Sequence, residues 1–177
     1  MRFSRRWTSG ALLIGFLGVP GEPAVAQDLT DAEVAHVAVV ANAIDIELAK
    51  VALERGESEA VKSFARTMVD DHTGVNAQAG ALAEKLGVTP SENEVSASLR
   101  KGADEAKAKL SGLSDAAFDR AYIAREVDYH QAVLDALDQV LIPTTENAEL
   151  VALLRTVRPA IAAHLERARR IQSDLKP

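Results

Sequence analysis

The stretch "VKSFARTMVDDHTGVNAQAGALAEKLGV" (61–88) decides the fold. Counted in alternating steps of four and three, it puts Val61, Ala65, Met68, His72, Val75, Ala79, Leu82 and Leu86 on one seam. That spacing collects residues on one face of a helix and on no face of a strand. A single histidine interrupts the apolar seam. Its surroundings, V-D-x-H-x-x-V over 69–75, recur at 127–133 with His130 in the same slot.

Working outward, the same count gives Val37, Ala41, Ile44, Leu48 and Val51 in a helix over about 31–55. It gives Ile123, Val127, His130, Leu134, Leu137 and Leu141 over about 114–141, and Leu150, Leu154, Val157, Ile161, His164, Ala168 and Ile171 over about 146–173. The second helix covers about 58–86. Thr30-x-x-Glu33 has the form of a capping box, Gly87 suits a helix C-terminus, and Pro90 ends the pattern. Ser91-x-x-Glu94 is a second capping box, opening a weaker connecting helix over about 91–110. Ser114 serves as the next N-cap, and "IPTTEN" (142–147) turns the chain into the last helix. Four long helices with tight links inside each pair predict an all-α, up-and-down four-helix bundle carrying one short extra helix.

The first 26 residues read differently. A basic start (Arg2, Arg5, Arg6), the short apolar run "ALLIGFLGV" and "AVA" at 24–26 form the pattern of a secretory signal cleaved after Ala26. Export to the periplasm or beyond follows as the expectation, with 27–177 as a single domain and no membrane span in the mature chain. Ser4-Arg5-Arg6 resembles part of a twin-arginine signal, so the route stays open. Of 20 basic and 26 acidic residues, three Arg and one Glu lie in that segment, which leaves 17 against 25, a net charge of −8. So acidic a chain is poorly suited to nucleic acid or an anionic membrane. The absence of cysteine excludes disulfides, thiolate metal sites and cysteine nucleophiles.

Antiparallel helices of similar length bring their midpoints to one level, so His72, His130 and His164 should meet in mid-bundle. Glu47, beside Leu48 on the first seam, and Glu126, one turn before His130, are the candidate carboxylates. Three imidazoles with a carboxylate or two suit one transition-metal ion: Fe, Mn, Cu or Zn. Asp70, Asp128 and Tyr129 are candidates for orienting the imidazoles, with solvated helix flank as the simpler role for the two aspartates. The alternative is a metal-free hydrogen-bonded histidine network in a structural or protein-interaction bundle, with a second copy or an envelope protein as partner. No phosphate-cradling loop, HExxH or nucleophile elbow is present, so enzymatic function is the least supported class.

The motifs M-V-x-D-H (68–72), F-D-R-A-Y (118–122) and P-x-x-x-x-H-L (159–165), in that order, resemble exported bacterial proteins of the domain of unknown function 4142 family. The similarity runs over about 31–173. It implies a ferritin-like fold and brings no established activity. Di-iron bundles of that fold use Glu-x-x-His pairs, whereas Val69, Val127 and Ile161 precede the three histidines here. Di-iron chemistry is therefore not expected; a mononuclear role, such as metal handling or envelope stress protection, is.

Overall fold

The computed structural model describes residues 29–175; the segment read as a signal peptide lies outside them. Five helices make up the fold: α1 (Asp31–Arg55), α2 (Glu59–Leu86), α3 (Glu94–Ser111), α4 (Asp115–Ala136) and α5 (Ala148–Asp174). A π-helical turn, Leu137–Leu141, and a short turn, Ile142–Thr144, extend α4. No strand occurs among the described residues, and no helix there is long and apolar enough to cross a membrane.

Side-chain caps fix the helix directions. Asp31, at the start of α1, accepts from Glu146 N and Asn147 N, both at 2.9 Å, at the start of α5. At the opposite end, Asp119 of α4 accepts from Glu57 N (3.1 Å) and Ser58 N (2.7 Å) at the start of α2. Gly56 belongs to that junction because a Cβ there would meet Ala52 O at 2.6 Å. Gly87 closes α2 in the left-handed region, φ 63°, which glycine adopts without a steric penalty.

The connecting helix α3 runs alongside α1 in the same direction. Ser91 N donates to Ala32 O at one end, and Arg55 donates to the carbonyls of Leu110, Ser111 and Leu113 at the other. Its capping box is Asn93 with Ser96, not Ser91 with Glu94, so α3 starts three residues later than the sequence suggested. The bond from Ser91 to α1 holds the chain extended until Asn93. Because α3 carries the chain back, α1 and α5 point one way and α2 and α4 the other, and each neighbouring pair in the four-helix core is antiparallel. A single long crossover of this kind is a ferritin-like arrangement.

Two apolar clusters fill the bundle. One surrounds Leu48, Phe64, Met68, Tyr122 and Ile123; the other surrounds Val37, Leu137, Leu154 and Leu165. Between them lies a buried polar layer at mid-height: Asn42, Asp45, His72, Glu126, His130 and His164.

Candidate metal centre

Each core helix contributes one donor to this layer. Asp45 comes from α1, His72 from α2, His130 from α4 and His164 from α5, with exposures of 0, 3, 1 and 5 %. The ring centroids of His72 and His130 are 5.9 Å apart, and each is 5.4 Å from that of His164. One ring nitrogen of each histidine lies within 4.8 Å of one from each of the others. The mid-level meeting of the three imidazoles, expected from the seams, is present.

Hydrogen bonds at the rim assign the tautomers. Asn42 gives its amide N–H to Asn76 Oδ1 (3.1 Å), which turns Asn42 Oδ1 toward His72 Nδ1 at 2.7 Å. An amide oxygen only accepts, so His72 Nδ1 carries the proton. His130 Nδ1 lies 2.9 Å from the Glu126 backbone carbonyl and must donate as well. His164 Nε2 donates to Asp71 Oδ2 at 2.9 Å. The remaining nitrogens, His72 Nε2, His130 Nε2 and His164 Nδ1, are buried and have no hydrogen-bond partner, as is Asp45 Oδ2.

Asp45 Oδ2 lies 2.7 Å from His72 Nε2 and 3.5 Å from His130 Nε2. The shorter approach has hydrogen-bond length, yet a neutral His72 ring, its proton held at Nδ1, has none on Nε2 to share with the oxygen. Lone pairs facing one another in a buried layer are costly unless a cation lies among them. Burial disfavours the charged form of two of the imidazoles: it lowers the pKa of His130 to about 4 against the attraction of Asp45, and it lowers that of His164 as well. Asp45, although fully buried, is held below the usual carboxylate range by His72, His130 and Arg125. Three imidazoles and one carboxylate thus turn four buried atoms without a hydrogen-bond partner toward a common region.

Beside them sits a second buried group. Arg125 Nη1 lies 2.6 Å from Glu126 Oε1 and 3.4 Å from Asp45 Oδ1, and its guanidinium stacks 3.8 Å above the Tyr129 ring. Burial and the negative charge of Asp45 push the Glu126 carboxyl well up. Its Oε2, buried and without a hydrogen-bond partner, lies 3.5 Å from His130 Nδ1, and Glu126 with Asp45 and His130 forms a second group whose donor atoms lie within 4.8 Å of one another. Tyr129 gives its hydroxyl proton to Ala41 O at 2.8 Å and packs edge-on against His130.

Other sequence candidates lie elsewhere. Glu47 is exposed and pairs with Arg100 of α3 at 3.0 Å, so it faces away from the histidines and is not a ligand. The carboxylate of α1 that reaches them is Asp45, two residues earlier. Asp70 and Asp128 are exposed flank, and the aspartate that orients an imidazole is Asp71. Asp45 had a signal in the sequence: it is the only Asp, Glu, Lys or Arg between Val34 and Ile46. His36, off the seam, is half-buried rather than a free surface residue.

Comparison with solved structures gives CopM in the Cu(II)-bound form, at a TM-score of 0.64 and 15 % identity, covering 84 % of this chain and 99 % of that one. At that identity the likeness concerns the fold. No curated protein matches the chain. A family model does: over residues 18–171 the chain belongs to the family described as domain of unknown function DUF4142.

Proposed function

We propose that this protein is an exported metal-handling bundle that holds one first-row transition-metal ion through His72 Nε2, His130 Nε2, His164 Nδ1 and Asp45 Oδ2. The observation that carries the reading is the set of four buried, unpartnered donors, each imidazole being fixed from behind by a dedicated acceptor. Such outer partners orient metal-binding histidines and raise their basicity. Imidazole and carboxylate suit divalent copper, zinc, iron and manganese, and intrinsic affinity favours copper(II) followed by zinc(II). The fold similarity to a protein solved with Cu(II) makes copper(II) the first ion to test. Four donors from four helices would complete a four-coordinate shell, as in closed metal sites that leave no position for substrate. Holding and transfer fit that closure better than turnover. Export rests on the signal pattern at 1–26.

The test is direct. Untagged protein, stripped with chelator and dialysed against copper(II) or zinc(II), should retain one equivalent by mass spectrometry, and His130→Ala should retain less than a tenth. Uptake below about a tenth of an equivalent for every first-row ion offered would sink the reading in favour of a metal-free histidine network.

A further inference from the structure

The four donors are buried, and an ion must still reach them. Asp71 is the one exposed side chain that hydrogen-bonds to the histidine trio: its side chain is 49 % exposed, and it holds His164 Nε2. His164 is also the most exposed of the three imidazoles. Its ring spans the wall of the bundle, with Nε2 at the surface carboxylate and Nδ1 bare inside. On one side of the histidine layer an apolar cleft among α1, α2, α4 and α5, lined in part by Val75, Ala79, Val157 and Ile161, reaches Asn42, the partner of His72; Asp71 and His164 lie outside it.

From this geometry we infer that Asp71 and His164 form the port through which the metal ion is loaded and released, an inference that rests on the metal reading above. Asp71, on the exposed face of α2, offers the first oxygen to an arriving divalent cation. In taking the cation, Asp71 gives up the Nε2–H bond that fixes the imidazole. His164 then turns aside, the ion passes to Asp45, His72 and His130, and the ring returns with Nδ1 as the fourth donor. The proton stays on Nε2 throughout, and Asp71 accepts its hydrogen bond again when the ring returns. The bond that orients His164 in the closed site is therefore also the latch of the port.

A port and a mere orienting partner differ in kinetics. Asp71→Asn keeps an acceptor for Nε2–H and removes the charge that captures the ion. Stopped-flow loading of the full chain with zinc(II), and extraction by excess chelator, should both slow about tenfold in this variant, with Kd within threefold of wild type. Asp70→Asn should leave both rates unchanged. Unchanged rates in Asp71→Asn, or faster extraction with normal loading, would overturn the port, since the latter is what a lost orienting bond produces. Wild-type protein is run first, so failure to bind any zinc(II) or copper(II) is recognised separately as failure of the metal reading, and it removes the port as well.

Discussion

At the residue scale the decisive group is Asp45, a carboxylate with no exposure whose Oδ2 faces two imidazoles and whose Oδ1 faces Arg125. Asp45→Asn should weaken copper(II) or zinc(II) binding at least a hundredfold by competition titration, and Glu47→Gln should leave it unchanged; losing a supporting contact costs about 10–100-fold, and losing a ligand costs more. The histidines were legible because each interrupts an apolar seam. Asp45, despite its isolation in an apolar stretch, escapes a seam count, because a single seam describes a helix with one buried face, and α1 packs against α2, α3 and α4 together. Its buried arc is wide enough to take in Asn42 and Asp45 beside the seam. Acidification probes the same layer. In metal-free protein, His130 titrates at about 4 instead of its ordinary 6.5 because burial disfavours the charged ring. Between those values the unfolded chain binds a proton there that the folded chain refuses, so this ring makes stability rise with pH across the window, while Glu126, its carboxyl pushed up, acts in the opposite sense. The His130 share is roughly 2–3 kcal/mol from pH 6.5 to 4, one pKa unit being worth about 1.4 kcal/mol, and it is read as the difference in pH dependence between chelated wild type and chelated His130→Gln. Identical profiles in the two would mean that the ring is solvated.

At the scale of elements, two borrowed caps join the helix pairs at opposite ends. Neither is visible as a local motif, because Asp119 caps the start of α2 from 61 residues further along the chain and Asp31 caps the start of α5 across 116. Ser114, which looks like an N-cap in the sequence, makes no side-chain capping bond, and neither does Ser58 ahead of α2. Thr30 and Glu33 do form their capping box, because both partners lie within one turn and need no tertiary contact. Asp119→Ala leaves the N–H groups of Glu57 and Ser58 without their acceptor in a partly buried junction. The expected cost is about 1–2 kcal/mol, read as a melting temperature lower by roughly 3–6 °C, with metal stoichiometry unaltered. The π turn at Leu137–Leu141 was likewise illegible: its residues continue the heptad, and only packing decides that the turn is wide.

At the scale of the whole molecule, a polar layer divides the apolar interior into two clusters, and all four core helices meet in it. An ion bound there ties the four together and is absent from the unfolded chain. At a free metal concentration a hundred times Kd the fold should gain about 2.7 kcal/mol, or a melting temperature raised by roughly 5–10 °C for a domain of this size. Calorimetry should show the gain vanish on adding chelator and in Asp45→Asn. Arg125 sets a limit on the same layer. Its guanidinium touches Glu126 Oε1 and Asp45 Oδ1, the oxygens turned away from the histidines. The bundle thus sets a permanent positive charge beside its buried donors, and any cation placed next to that guanidinium meets its repulsion in a medium that screens poorly.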